Sequence, residues 1–337
     1  MIKLVYQIKK ILETYYFQEK RLIITDKKIA IITGANSGIG KAAAIRFATE
    51  GCKVVMACRN LEKGRQAQQE IIGQTKNDSV DLRQLDVSSF KSIENFCSGF
   101  KKNYGRLDIL INNAGYFNHG EKNYRLSPDD IELSFATNAF GPFLTTKLLT
   151  ELLKKSDDAR VLNACTTNIR HFFEPKRKID FDNLRGEFKD SRPYNSYKMY
   201  GDSKTALLML TFKMAEQFKK DGIKINAIQI PAIKIAKETM AKFKSGWKIA
   251  AMAQNIFSSS PESMANTYFQ ICSSVEFKDI TGKLINAKKE IMRPSPYNSG
   301  LRQELKQLFD QRVYPKYAAN PDHIEKVWDL AVKWTEI

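Results

Sequence analysis

The sequence predicts an α/β fold: a doubly wound, parallel sheet of seven strands with helices on both faces and helical extensions at each end. Three observations predict it. Short apolar, β-branched runs recur along the chain, longer segments with helical spacing separate them, and the first run ends in a glycine-rich turn, TGANSGIG, that opens a helix. Strands buried on both faces of a parallel sheet read as continuous apolar runs, and each needs a crossover helix to reach the next.

The first run, KIAIITG (28–34), places glycines 34, 38 and 40 where strand becomes helix. Such a turn needs residues without Cβ, a pyrophosphate needs close backbone approach, and the helix N-terminus offers N–H groups and a positive dipole. A dinucleotide site is expected there. The second run, KVVMACR (53–59), reports which dinucleotide. A free ribose 2′-hydroxyl calls for a carboxylate near this strand's end, but the chain has Ala57, Cys58, Arg59 and Asn60. Arg59 suits a 2′-phosphate, so NADP(H) is the expected cofactor. The runs VDLRQLD (80–86), LDILINNAG (107–115), ARVLNACTT (159–167), KINAIQI (224–230) and GKLINA (282–287) supply the remaining strands. Residues 168–198, 231–260 and the last forty or so interrupt the alternation.

The start, MIKLVYQIKKILETYYFQEKRL, repeats apolar residues at 4, 8, 11, 15 and at 5, 8, 12, 16, with Lys3, Lys9 and Lys10 ahead of the first acid. That is an amphipathic basic helix: a targeting segment, a membrane-surface anchor, a docking helix, or a helix packed on the domain. It lacks the apolar core and cleavage site of a secretory leader. Near the other end, Ile324, Val327, Trp328, Ala331 and Trp334 form one helical stripe, fit for the chain's own core or for a partner. The chain divides into an N-terminal helical extension (1–26), a dinucleotide-binding and catalytic domain (27–300) and a C-terminal helical extension (301–337).

With 54 basic and 37 acidic side chains the net charge is +17, spread without long runs. It favours polyanionic neighbours: phosphate-bearing cofactors, an anionic membrane surface, nucleic acid or acidic proteins, though a charge spread this evenly also reads as an ordinary solvated surface. Five cysteines without a CxxC pair argue for a reducing compartment, and three scattered histidines lack metal-ligand spacing, so no metal is expected. No apolar run approaches the ~18 residues of a membrane span. Nucleic-acid binding is not expected.

Tyr200 and Lys204 lie four apart on a predicted helix and project from one face. A lysine ammonium beside a tyrosine stabilises the phenolate, and the phenol can then pass a proton to or from a carbonyl oxygen. The spacing G-x-x-x-G-x-G, with NNAG at 112–115 and YGDSK at 200–204, resembles the short-chain dehydrogenase/reductase family. ACRNLEKG, LDVSSFKSI, TGKLINAKKE and the long gap before Tyr200 resemble its retinol-dehydrogenase-like branch. The resemblance covers roughly residues 28 to 300. It implies Tyr200 as acid/base, Lys204 as its tuner and Asn138 as holder of a relay water. It also implies cofactor contacts from Asn36, Ser37, Ile39, Asp86, Val87, Asn113, Ala114, Gly115 and Pro231, beside the glycines and Arg59, and from Tyr200 and Lys204 themselves.

Two departures stand out. Where the family places its catalytic serine, VLNACTTN offers Thr166, which keeps the hydroxyl but adds a methyl and a stiff χ1. Where the family shows Pro-Gly and then threonine, this chain has Pro231-Ala232 and Ala236, and Ala232 fits only with a negative φ. Residues 231–260, apolar with interleaved lysines, read as a substrate lid or as a basic surface for lipid or a partner.

The expected function is NADP(H)-dependent hydride transfer to or from a lipophilic carbonyl or alcohol. The alternative is a catalytically weak or silent subunit of a large assembly, docking through the terminal helices and residues 231–260. The expected location is mitochondrial, with a cytosolic, membrane-peripheral one as the alternative.

Overall fold

The computed structural model describes residues 27–118, 120–173, 176–234, 255, 258–296, 303, 306–307 and 309–337. The N-terminal amphipathic segment, most of the basic apolar segment at 231–260, and Ala236 with it, lie outside the described residues, as does much of 297–308.

Seven parallel strands form one sheet in the order β3-β2-β1-β4-β5-β6-β7. They are β1 (Ile29–Thr33), β2 (Lys53–Cys58), β3 (Val80–Gln84), β4 (Ile109–Asn112), β5 (Arg160–Thr166), β6 (Lys224–Ile230) and β7 (Leu284–Asn286). The order reverses between β1 and β4, so a crevice opens above their C-terminal ends. Successive side chains leave opposite faces, and the two faces carry two cores. Ile32 and Met56 join the core under α1 (Gly38–Thr49), α2 (Leu61–Thr75) and α6 (Pro261–Ser273). Ile31 and Val55 join the core under α3 (Phe90–Asn103), α4 (Gly141–Leu153), α5 (Ser196–Gln217) and α7 (Pro321–Thr335).

The apolar stripe of α7 meets this second core. Val327 and Ala331 are fully buried, while Trp328 and Trp334 make T-shaped contacts with Phe143 and Phe140, ring centres 5.2 and 5.3 Å apart. An ion pair from Lys213 of α5 to Glu325 reinforces the seam. The stripe therefore serves the chain's own core. Just before α7, a two-residue parallel pair joins β8 (Arg293–Pro294) to β9 (Val313–Tyr314), which periodicity did not predict.

A second unpredicted feature precedes α4. The rod begins as a short α-turn, Leu133–Phe135, widens into a π-helical turn over Ala136–Phe140, and continues as α4. Glu132 caps its start, accepting from the amides of Ser134 (2.9 Å) and Phe135 (3.1 Å) and from the Tyr194 hydroxyl (2.8 Å). Burial raises the Glu132 carboxyl above its ordinary range. Gly141 follows the wide turn because nothing larger fits: a Cβ there stands 2.0 Å from the Val87 carbonyl oxygen.

Gly141→Ala is expected to lower stability by about 1–3 kcal/mol, because backbone rather than a flexible side chain must yield. The measurement is the urea midpoint at unchanged m-value.

Candidate active site

The glycine-rich turn is shaped by contacts that leave no room for side chains. Gly34 and Gly38 have φ of +68° and +54°, a region that L side chains rarely enter. A Cβ on Gly40 would meet the Gly34 carbonyl oxygen at 2.3 Å and the Asn113 amide at 2.6 Å. Ser37 precedes α1 in extended backbone without capping it, and the first turn carries no acid. The first N–H groups of α1 thus lack side-chain acceptors, as an anion cradle requires. Asn36 lies in the turn with its amide, like that of Ala35, directed to the Cys58 sulfur, whose thiol is pushed up to about 11 by burial.

The turn is stitched to β4 by a residue that motif reading missed. Thr33 Oγ1 accepts the amides of both Asn113 and Ala114 at 2.9 Å, and Asn113 Nδ2 donates to the Thr33 carbonyl at 3.0 Å. The hydroxyl of buried Tyr268 completes the set by donating to Asn113 Oδ1 at 3.2 Å. Arg59 is exposed at the end of β2 with no ion pair among the described residues. The Asp86 carboxylate accepts from the amide and hydroxyl of Ser88 at 3.0 and 2.7 Å, and Val87 beside it is buried against Gly141.

Beyond this cradle lies a cavity of about 390 Å³ lined by Tyr200, Lys204, Thr166 and Gly115, with Ile39, Asn113, Phe117, Ile230, Pro231 and Ile233 among its walls. Tyr200 and Lys204 come from one face of α5, whose start is capped by Asn195 accepting from the Lys198 amide at 3.0 Å. Thr166 is the last residue of β5. Its hydroxyl accepts from the Asn168 amide at 3.2 Å and shares the cavity with the Tyr200 ring. Burial raises the phenol's pKa, and the neighbouring Thr166 hydroxyl opposes the rise.

The Lys204 head group has a different partner, donating to the Ala164 carbonyl at 2.7 Å. Complete burial brings its pKa down to about 8. Asn138 stands behind the cavity on the π-helical turn. Its Oδ1 accepts the Tyr116 amide at 2.7 Å, and its Nδ2 donates to the Tyr116 carbonyl at 2.9 Å and to Ser203 Oγ at 3.0 Å. The side-chain amide is thus given to protein groups. Gly115 stands between the two: a Cβ there lies 3.3 Å from Asn138 Oδ1 and 3.6 Å from Lys204 Nζ.

Sequence reasoning missed Thr33, Ser203 and Phe117. Ser203 had a signal, its place between Tyr200 and Lys204 in the same motif. Phe117, 4.7 Å from the Tyr200 ring, had none beyond proximity to NNAG. Ala232 has no positive φ, so the replacement of glycine there carries no left-handed strain. No described helix is long and apolar enough to cross a membrane.

Comparison with known proteins gives the following. Residues 28–171 match the family described as short chain dehydrogenase. Human retinol dehydrogenase 13 is 32% identical over 272 residues, 80% of this chain and 78% of that protein. Mouse retinol dehydrogenase 12 is 39% identical over 212 residues, 63% of each chain. Among solved structures, one described as a short chain dehydrogenase from Shigella flexneri complexed with NADP has a TM-score of 0.59 at 21% identity, covering 78% of this chain and 98% of that one.

The depressed pKa of Lys204 makes a prediction about stability. The folded chain binds fewer protons than the unfolded one between about 8 and the ordinary 10.5, so stability rises with pH across that window. Lys204→Met is therefore expected to stabilise the protein at pH 7, on the order of 1–3 kcal/mol, with the gain shrinking towards pH 10.5. Thermal unfolding of both proteins at pH 7 and pH 10 checks it.

Proposed function

Since the chain belongs to the short-chain dehydrogenase family, in its retinol-dehydrogenase-like branch, we propose that it is an NADP(H)-dependent oxidoreductase acting on a lipophilic carbonyl or alcohol. The observation that carries this reading is the convergence of the Tyr200 and Thr166 hydroxyls and the Lys204 head group on one cavity beside the glycine cradle.

The residues fit a dinucleotide. Gly34, Gly38 and Gly40 leave backbone bare at an uncapped helix start, and a Cβ at Gly40 has no space. Arg59, exposed and unpaired among the described residues where a carboxylate would select a free 2′-hydroxyl, supports NADP(H) over NAD(H). When bound, the nicotinamide supplies or takes the hydride. Tyr200, kept protonated by burial, gives its proton to the carbonyl oxygen as carbon gains the hydride. Before transfer the single proton of the Thr166 hydroxyl polarises the carbonyl, and after transfer it turns to the phenolate. The Lys204 cation, anchored on the Ala164 carbonyl, favours the phenolate through its charge rather than by a direct bond. The apolar walls at Ile39, Phe117, Ile230 and Ile233 support a lipophilic substrate, as do relatives named retinol dehydrogenases.

Fluorescence titration is expected to show tighter binding of NADPH than of NADH, and Arg59→Ala is expected to remove about tenfold of that preference. Equal affinities in the native chain would reject the cofactor assignment.

With NADPH and a panel of lipophilic aldehydes and ketones, the native chain is expected to turn over, and Tyr200→Phe to lower kcat by about 10²–10⁴ while leaving NADPH binding intact. Thr166→Ser, which frees χ1 and keeps the donor, is expected to raise kcat. Reduction should hold level through neutral pH and fall above about 8, where Lys204 loses its proton. Absence of turnover, or turnover that survives Tyr200→Phe, would count against the reading.

A further inference from the structure

We propose that Trp334 of α7 is a positioning residue that keeps the π-helical turn, and with it Asn138, in register with the active site. The catalytic part of this proposal rests on the function proposed above.

The π-helical turn at Ala136–Phe140 is a metastable element. One residue more than an α-helix allows is looped out, and conversion to regular helix turns everything on one side of it by about 100° per residue. Asn138 lies at its centre and is fully buried. Its side chain holds Tyr116 just past Gly115 and Ser203 just before Lys204, so a rotation of the turn breaks contacts on both sides of the cavity together.

Phe140, the last residue of the turn, is fully buried between two aromatic partners. Within the rod, Phe135 stacks on it with ring centres 6.2 Å apart. From outside, Trp334 meets it edge-on at 5.3 Å and 79°. On the indole's other contact, the Arg185 guanidinium lies 5.8 Å from the ring, and Arg185 Nε donates to the Asp130 carbonyl at 3.1 Å. Trp334 thus links the end of the wide turn to the loop that leads into its cap at Glu132. Aromatic contacts of this geometry add stabilisation beyond area burial, enough to bias one helical variant over another.

The same helix supplies a control. Trp328, six residues earlier, makes a near-identical contact with Phe143 at 5.2 Å and 86°, but Phe143 belongs to regular α4 beyond the turn. A helix that merely adds stability makes the two tryptophans equivalent. A helix that braces the turn makes them different.

The test compares Trp334→Ala, Trp334→Leu, Trp334→Phe and Trp328→Ala in the full chain. Hydrogen exchange followed by mass spectrometry on peptides spanning 133–141 is expected to accelerate about tenfold in Trp334→Ala relative to Trp328→Ala. Trp334→Phe, which restores an aromatic edge, should return it towards native. Trp334→Leu keeps apolar bulk without the edge, and stands in if the alanine variant does not fold. In steady state, Trp334→Ala is expected to lower kcat about tenfold and shift the pH–rate profile, with KM for NADPH unchanged and Trp328→Ala near native. Equal effects of the two tryptophans on exchange, or unchanged exchange in the Trp334 variants, overturns the proposal. Absence of turnover in the native chain would refute the proposed function, and the exchange comparison would still decide this inference.

Discussion

A single hydroxyl fixes the geometry on which the site depends. Thr33 accepts two consecutive amides, those of Asn113 and Ala114, at the point where the strand order reverses. Parallel strands alone fix register but not how two neighbouring loops leave the sheet. Here the last residue of β1 is tied to the first two residues after β4, and Gly34 packs so closely that a Cβ would touch Ala114 at 3.1 Å. The glycine cradle and the cavity containing Gly115 are therefore two sides of one joint. Buried hydrogen bonds of this kind specify position more than they add net stability.

The catalytic groups show a trade between stability and function. A fully buried lysine with a carbonyl rather than a carboxylate partner costs free energy in either protonation state. The chain holds it there by surrounding it with rigid structure: β5 beneath, α5 carrying it, and the Asn138 amide behind Gly115. The π-helical turn is a second local irregularity at the same place. Such irregularities persist where neighbouring structure over-determines them, and here Glu132, Gly141 and α7 each do so.

The C-terminal helix shows how tertiary contacts choose between readings of one pattern. A stripe with two tryptophans is equally suited to a partner or to its own domain. Phe140 and Phe143 stand where those tryptophans fall, in T-shaped contact, and Lys213 meets Glu325 alongside. The stripe closes the core instead of leaving it open.

By itself the sequence determined the seven strands and their crossovers, since burial on both faces writes each strand as an unbroken apolar run and leaves helical spacing between. It also determined the glycine turn and the Tyr200–Lys204 face, because both lie in short continuous stretches where spacing is geometry. Only the tertiary structure decided what those residues meet. Thr33 stitches to residues eighty positions away, Asn138 gives its amide to Tyr116 and Ser203, and Lys204 bonds to Ala164 rather than to Tyr200. The π-helical turn left no periodic mark, because ATNAF reads as ordinary helix. Local spacing is encoded along the chain, whereas contacts between distant residues exist only once the chain has folded.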